Sequence, residues 1–337
     1  MRIVSIALLT ACTFVSAVSS CRAQAESFFS TNAFSFVALG DTPHVLPGDY
    51  AKFDRLIDAI NALKPAFSMH IGDIKDGASA CTDQLLKAVY DKFQKFDAAL
   101  VYTPGDNEWT DCHRGKGGGF DDPRERLAKL REMFFLKQQQ SLGKQPIAVE
   151  NEGEALPQYA KFIENVRFVK NNVLFVTLNI PGSNNGFETF DLAAAQEFFE
   201  RNPANLAWID DSFRKAREEN AKAVVLAFQA NPHNVTRSWG GLPPASGYLD
   251  TVNAIERNAS TFGKPVLIVQ GDNHLFEVSA FRNAAGRSMP NVLRLQVFGE
   301  KDVHAVRVIV DPESVGVFGF VPLVVPENGP INMQQQN

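Results

Sequence analysis

The chain has no excess of basic residues, which weighs against a general nucleic-acid-binding role. Its 33 Lys and Arg are outnumbered by 38 Asp and Glu, and the net charge is −5 at neutral pH. Proteins that bind nucleic acids broadly present a basic patch or stripe to the phosphate backbone. The charge balance therefore disfavours nucleic acid as a partner.

Long apolar runs are also absent beyond the first 25 residues, so no transmembrane segment is expected there. At the N-terminus, Arg2 precedes a short apolar run that small residues follow. This pattern is typical of a secretory signal peptide rather than of a spanning helix. Ala23-Gln24-Ala25 fits signal-peptidase cleavage, whereas Val18-Ser19-Ser20-Cys21 resembles a bacterial lipobox. We expect an exported protein, periplasmic or secreted, with a leader over residues 1–25 and with a lipid anchor at Cys21 as the alternative.

Cysteine is scarce, and its placement predicts one disulfide. Of four cysteines, Cys12 and Cys21 belong to the leader or its cleavage region, which leaves Cys81 and Cys112. Two cysteines in an exported protein favour a disulfide, because the compartment is oxidising. Each of the two comes shortly after a Gly-Asp pair that ends an apolar run. A bridge would therefore join two loops of the same kind.

The chain does contain a repeated pattern, in which an apolar run ends in Gly-Asp. The pattern occurs at residues 36–41, 69–73 and 101–106, and again at residues 266–274. The first three aspartates are 32 and 33 residues apart, which leaves room for one helix between consecutive strands. Such runs are typical of strands that are buried on both faces. Ligands bind at the carboxyl ends of strands in open α/β sheets, so this edge is the candidate site.

Four strand-end aspartates predict a metal site at that edge: Asp41, Asp73, Asp106 and Asp272. Carboxylates gathered on one edge repel each other unless a cation lies among them. A single Gly-Asp after a strand is ordinary turn chemistry. Four in the same position, the last followed closely by His274, favour a shared cation.

In the order and spacing of these motifs, the chain resembles the calcineurin-like metallophosphoesterases over residues 34–280. That family has Asp-x-His, Gly-Asp-x-x-Asp, Gly-Asn-His, a lone His and Gly-His-x-His, in this order. The corresponding residues here are Asp41-Thr42-Pro43, residues 72–76, Gly105-Asp106-Asn107, Gln229 and Gly271-Asp272-Asn273-His274. The resemblance implies an α/β fold, a four-layer α-β-β-α sandwich of two mixed sheets, as a single domain over residues 26–337.

The resemblance also implies a divalent metal cofactor, with two ions drawn from manganese, magnesium, iron or zinc. The first ion would be bound by Asp41, Asp73 and His274. The second ion would be bound by Asp73, Asp106, Gln229 and Asp272. Because the second set offers only oxygen atoms, it favours hard cations such as Mg²⁺ or Mn²⁺.

Several histidines of the family pattern are replaced here, and nearby residues are candidates for their roles. Asn107 occupies the position of the catalytic histidine and cannot transfer a proton at neutral pH. His113 is the candidate proton donor and Arg114 the candidate phosphate clamp, with ordinary surface-loop residues as the alternative for both. His44 and His233 are candidates for substrate binding. Alternatively, His44 could stand in for the histidine that Pro43 replaces, and His233 or Asn234 could replace Gln229 at the second ion.

The leading hypothesis is an exported phosphoesterase that hydrolyses a phosphate mono- or diester of a small molecule with a metal-activated water. The alternative is a protein of the same fold that has lost catalysis and acts as a binding or scaffold protein. The replaced histidines keep the alternative open. The retention of Asp41, Asp73, Asp76 and His274 favours catalysis, because drift would not specially preserve charged residues on a crowded edge.

Periodicity predicts the elements that connect these motifs. Helices are expected over residues 50–63 and 82–96, from Pro123 to about residue 137, and near residues 189–220. Residues 141–170 are interpreted as an irregular excursion on the substrate side. Consecutive strands are expected at residues 277–281, 292–298, 305–310 and 315–323.

Overall fold

The computed structural model describes residues 29–114, 122–233 and 246–331. The predicted leader over residues 1–25, with both cleavage sites, lies outside the described residues. Twelve strands follow in chain order: β1 (Phe34–Leu39), β2 (Ser68–His70), β3 (Leu100–Tyr102), β4 (Glu150–Asn151), β5 (Val166–Lys170), β6 (Val173–Thr177), β7 (Ala223–Ala227), β8 (Val266–Gln270), β9 (Glu277–Arg282), β10 (Ser288–Gln296), β11 (Ala305–Val310) and β12 (Phe318–Leu323).

The helices of the described ranges lie between strands β1 and β8 in the chain. They are α1 (Tyr50–Leu63), α2 (Asp83–Phe93), α3 (Pro123–Phe134), α4 (Glu152–Ala155), α5 (Gly182–Asn185), α6 (Leu192–Glu218) and α7 (Leu249–Phe262). None of these helices is long and apolar enough to cross a membrane.

The strands form two mixed sheets, one of five strands in the order β12-β11-β1-β2-β3 and one of seven in the order β4-β5-β6-β7-β8-β10-β9. Three apolar cores separate the layers. One core lies between the two sheets, and the others lie between each sheet and its helices, α1 to α3 on one side and α6 with α7 on the other. The predicted four-layer α-β-β-α sandwich is confirmed.

The motifs meet because strands from both sheets end at one edge. β1, β2 and β3 are parallel, and so are β7, β8 and β10. Asp41 and Asp73 follow β1 and β2, and Asp106 follows β3. Gln229 and Asp272 follow β7 and β8 in the other sheet. The chain thus places its candidate ligands where the carboxyl ends of two facing sheets converge.

Local sequence explains the helix boundaries near this edge. Helix α1 has the predicted bounds, and its buried face is formed by Phe53, Leu56, Ile57 and Ile60. Helix α2 begins after Thr82, whose hydroxyl oxygen accepts a hydrogen bond from the Leu85 N–H at 3.2 Å. This is the N-cap interaction that threonine favours at a helix start.

The interpretation of residues 141–170 as an irregular excursion is wrong. This segment contributes β4 and β5 to the seven-stranded sheet, where β5 pairs antiparallel with β6, and helix α4 lies between the two strands in the chain. Strand β4 has only two residues, and β5 has two buried residues followed by three that are partly or fully exposed. Neither strand shows the strict alternation of a half-buried strand, which explains the error.

The predicted disulfide between Cys81 and Cys112 is present, with a Cα–Cα distance of 5.9 Å. Both cysteines are fully buried, and both sulfur atoms lie within 4 Å of the Asn107 carbonyl oxygen. The bridge therefore joins the loop after β2 to the loop after β3 beside Asn107.

Replacing both cysteines with serine is expected to lower the free energy of unfolding by about 3–4 kcal/mol, the amount by which closing a loop of this size restricts the unfolded chain. The closed loop spans 31 residues. Chemical denaturation of the oxidised protein and of the double variant would measure the difference. Equal free energies of unfolding would contradict the prediction, and two free thiols in protein taken from its native compartment would contradict the disulfide itself.

Candidate metal centre

Three of the predicted ligands converge in the structure. One ligand atom from each of Asp41, Asp73 and His274 lies within 4.8 Å of the other two. Both aspartates are buried, and His274 is partly exposed. We refer to these three residues as the ligand trio. Two carboxylates and one imidazole form a donor set that manganese, iron and zinc accept.

The backbone at the trio is held in a conformation that few side chains adopt. The φ angles are +50° at Asp41, +55° at Asp73, +59° at His274 and +75° at Asp272. Non-glycine residues in this region are strained by about 1–3 kcal/mol each and cluster at functional sites. Four strained residues on three loops support a functional role for this edge of the sheets.

Hydrogen-bond donors from neighbouring loops orient the two carboxylates of the trio. The Asp272 N–H lies 3.2 and 3.0 Å from the two carboxylate oxygens of Asp41. The N–H of Asn107 donates to Asp73 Oδ1 at 3.3 Å, and its side-chain amide donates to Asp73 Oδ2 at 2.9 Å. Each trio aspartate is therefore oriented by a neighbouring motif, which pre-organises the site.

Several carboxylates lie close together at the site, and a cation would relieve their mutual repulsion. Burial raises the pKa of Asp41 well above its usual range, and the carboxylates of Asp272 and Asp106 raise it further. Burial and the neighbouring Asp106 likewise raise the pKa of Asp73, and they raise the pKa of Asp272 to about 7. A divalent cation restores the ionised form of such carboxylates, so the donor chemistry of the trio fits a bound metal.

Imidazole chemistry at the trio is consistent with this assignment. Burial lowers the pKa of His274, although the carboxylate of Glu300 opposes that effect. A lowered pKa favours the neutral imidazole that binds metals. His44 packs edge-on against His274, with ring centroids 5.0 Å apart. His44 Nδ1 is buried, and the described residues offer it no hydrogen-bond partner. His44 therefore lies beside the trio, in contact with His274.

Three other predicted ligands also lie at this edge, but their oxygens accept hydrogen bonds from the protein. They are Asp106, Gln229 and Asp272. The Ser183 hydroxyl donates to Asp106 Oδ2 at 2.7 Å, and the Gly182 N–H donates to Gln229 Oε1. In the described part of the chain, no group of three His, Cys, Asp or Glu side chains with ligand atoms within 4.8 Å of one another contains Asp106 or Asp272. Sequence reasoning predicted the position of these residues, whereas their bonding partners depend on the distant 182–183 segment.

The guanidinium group of Arg114 is already engaged by protein groups and is not free to bind a substrate. Its guanidinium donates to Asp111 at 2.6 Å, to Glu188 at 3.1 Å and to Ser183 at 3.2 Å. Ser183 in turn donates to Asp106. Arg114 is therefore connected to the centre through one hydroxyl group, and a phosphate would have to compete with two carboxylates for it.

His113 is engaged outside the trio. Its Nδ1 lies 2.7 Å from the Thr110 carbonyl oxygen, and its Nε2 lies 3.5 Å from a carboxylate oxygen of Glu188. With Glu188 and Asp191 it forms a separate group of ligating atoms. The structure does not bring His113 to the trio.

His233 is likewise not brought to the trio. Its ring packs edge-on against Phe281 at 5.2 Å, and burial lowers its pKa to about 4. The pKa also responds to backbone groups of Arg282 and Asn283 on the β9 side of the sheet. The side chain therefore turns toward β9, and the replacement of Gln229 by His233 as a ligand stays a prediction.

Three residues at the centre were missed by sequence reasoning: Lys75, Glu108 and Ser183. Glu108 Oε1 accepts from the Gly105 N–H at 2.7 Å, the Tyr102 hydroxyl at 2.8 Å and the Asp73 N–H at 3.2 Å. Lys75 is buried, and its amine donates to the Asp76 carbonyl oxygen at 2.6 Å. Glu108 and Lys75 could have been identified from the sequence, because both lie within the Gly-Asp motifs. No sequence signal pointed to Ser183.

Close backbone approach makes glycine necessary at Gly299. A Cβ atom there would lie 2.3 Å from Asp41 Cβ and 3.0 Å from His274 Cδ2.

Gly299→Ala is expected to displace two trio side chains and to weaken divalent-cation binding about 10–100-fold, the loss typical of disturbed support around ligands. Isothermal titration with Mn²⁺ would measure the affinity. Gly316→Ala is the matched control, because no atom lies within 4 Å of its added Cβ. Equal affinities for the two variants would contradict the prediction.

His70 connects two ligand loops through its imidazole ring. Its Nε2 lies 2.7 Å from the Thr42 carbonyl oxygen, and its Nδ1 accepts from the Gly72 N–H at 3.2 Å. Because the Gly72 N–H can only donate, Nε2 carries the proton and the ring is neutral. Thr42 follows Asp41, and Gly72 precedes Asp73. The residue therefore supports the trio from the core.

Acidification is expected to destabilise the protein through His70. Burial lowers the pKa of His70 from 6.5 to about 4, while the bond to Thr42 acts in the opposite sense. Because the folded value is the lower one, the stabilisation is complete above pH 6.5 and is lost as the pH falls from 6.5 to 4. The loss is about 3 kcal/mol. Urea unfolding across this pH range should give a shallower pH dependence for His70→Gln; an unchanged dependence would contradict the assignment.

No protein-family model and no curated protein matches the sequence. Similar solved structures include GAP50, the anchor in the inner membrane complex of Plasmodium, with 13% identity, a TM-score of 0.47, and coverage of 87% of this chain and 89% of that one. TT1561 of Thermus thermophilus has 8% identity, a TM-score of 0.45, and coverage of 86% and 99%. A hypothetical protein from the same organism has 11% identity, a TM-score of 0.40, and coverage of 87% and 98%. These are distant similarities of overall structure, and nothing about the site of this chain follows from them.

Proposed function

We propose that the chain is a metal-dependent phosphoesterase that hydrolyses a phosphate mono- or diester. The observation that supports this most strongly is the ligand trio, with two buried aspartates and one histidine at a strained edge between two sheets. A divalent ion bound there would polarise a phosphoryl oxygen and lower the pKa of an attacking water. Manganese, magnesium, iron and zinc are all suitable, and the single imidazole favours manganese, iron or zinc over magnesium.

The residues of the chain would have distinct roles around that ion. Asp41, Asp73 and His274 hold it, and the Asp272 N–H keeps Asp41 in position. His44, which contacts His274, is the candidate to bind the phosphoryl group. Asn107 orients Asp73 through two hydrogen bonds and supplies no proton to a leaving group.

We propose that the substrate is a phosphorylated small molecule or ester. The acidic net charge disfavours nucleic acid. The disulfide between Cys81 and Cys112 supports an oxidising compartment and hence export to the periplasm or the medium. A leader over residues 1–25 and one domain over residues 26–337 complete the proposal, with lipidation at Cys21 as the alternative N-terminus.

A second candidate function is that of a binding or scaffold protein without catalysis. One observation favours it: Asn107 stands where an ionisable side chain would assist the leaving group, and its amide is committed to Asp73. Metal analysis combined with hydrolysis of 4-nitrophenyl phosphate in the presence of Mn²⁺ separates the two. Bound metal with turnover supports the phosphoesterase, and bound metal without turnover supports the binding protein.

A further inference from the structure

A second cation beside the trio would need oxygens that the protein already uses. Asp106 Oδ2 accepts from the Ser183 hydroxyl at 2.7 Å. Gln229 Oε1 accepts from the Gly182 N–H, while its amide nitrogen is buried with no partner among the described residues. The amide of Gln229 therefore presents a donor, not a further acceptor, to its surroundings. Two of the four expected ligands are thus held by the 182–183 segment.

The aspartate that the two expected ions would share also meets protein donors. Asn107, in the same loop as Asp106, donates to Asp73 Oδ1 from its backbone at 3.3 Å and to Oδ2 from its side chain at 2.9 Å. These bonds orient Asp73 for the ion of the trio, and neutral donors approach it from the loop that would supply a second ion's ligand.

Asp272, another expected ligand of the second ion, also accepts a hydrogen bond from the protein. Its Oδ2 accepts from the Asn231 N–H at 3.1 Å, and its own N–H is directed at Asp41. Within the described ranges, Asp106 and Asp272 join no group of three His, Cys, Asp or Glu ligand atoms that lie within 4.8 Å of one another. Their carboxylates flank Gly182, where a Cβ atom would lie 2.6 Å from Asp106 Oδ2 and 3.0 Å from Asp272 Oδ1. The backbone of Gly182 thus approaches the space between them.

We infer that this edge of the sheets holds one divalent cation, on Asp41, Asp73 and His274, and that hydrogen-bond donors of Asn107, Ser183 and Gly182 take the place of a second ion. The inference rests on the proposed function, since it concerns the same centre. It replaces the expectation of two ions.

Manganese binding to the purified full-length protein would test the inference. Equilibrium dialysis with Mn²⁺, followed by elemental analysis, gives the number of ions, and electron paramagnetic resonance shows whether two ions are magnetically coupled. We expect an uncoupled signal. His274→Ala should lose the ion, whereas Asp106→Asn and Gln229→Ala should retain the wild-type metal content. Thermal unfolding of each variant identifies any that fail to fold, and using two second-set variants keeps the comparison usable if one is lost.

The outcomes separate the inference from the proposed function. A coupled signal, or the loss of one of two ions in folded Asp106→Asn or Gln229→Ala, would overturn the single-ion centre and leave the phosphoesterase proposal intact. No bound Mn²⁺ in the wild type would overturn both. An uncoupled ion that depends on His274 and not on Asp106 supports the inference, whether or not the preparation hydrolyses an ester.

Discussion

Asp73→Asn is expected to lose most of the bound metal ion and to lower kcat/KM for an aryl phosphate by at least about 10³-fold, since a metal contributes several kcal/mol of transition-state stabilisation. Asp73 belongs to the ligand trio and is fixed by two hydrogen bonds from Asn107. The amide of the variant is neutral and binds metal weakly. Elemental analysis and steady-state kinetics on the same preparation would measure both effects.

Asp91→Asn is a suitable control for that experiment, because Asp91 is exposed and pairs with Lys87 on the surface of α2. It should retain wild-type metal content and activity. Wild-type metal content in folded Asp73→Asn would contradict the assignment of the trio.

The second large effect concerns the leaving group. Asn107 donates its amide proton to Asp73 Oδ2 and cannot act as an acid. General acid catalysis typically contributes about 10²–10⁴-fold, and poor leaving groups depend on it most. We expect appreciable turnover of 4-nitrophenyl phosphate or its diester, and turnover of alkyl phosphates that is slower by about that factor beyond their different reactivity in water.

Two histidine variants identify any replacement acid. His113→Ala is expected to leave the ratio of aryl to alkyl rates unchanged, because both ring nitrogens face groups outside the trio. His44→Ala should change the ratio only if His44, which contacts His274, donates the proton. Equal wild-type rates on both substrate classes, with chemistry shown to be rate-limiting, would mean that another acid fully replaces the missing histidine.

The regular parts of the fold could be predicted from the sequence because their signals are local. Helix α1 matched its apolar period, and the Gly-Asp pairs marked strand ends. The convergence of Asp41 and Asp73 with His274 followed from the rule that parallel strands present their carboxyl ends at one edge.

The bonding partners within the centre could not be predicted, because they come from distant segments. The Ser183 hydroxyl reaches Asp106 across 77 residues of chain, and the Gly182 N–H reaches Gln229 across 47. No periodic pattern reports such contacts. The packing of His233 against Phe281 could not be predicted for the same reason, since it depends on the position of β9. Sequence motifs identified which residues meet, and the structure was needed to show which atoms remain available to a metal.

Crystals grown with Mn²⁺, with diffraction recorded above and below the manganese absorption edge, would show whether Asp41, Asp73 and His274 hold a divalent cation. We predict one anomalous peak at this edge of the sheets, within bonding distance of all three side chains. A map with no peak at the trio, or with the only peak bound elsewhere, would contradict it.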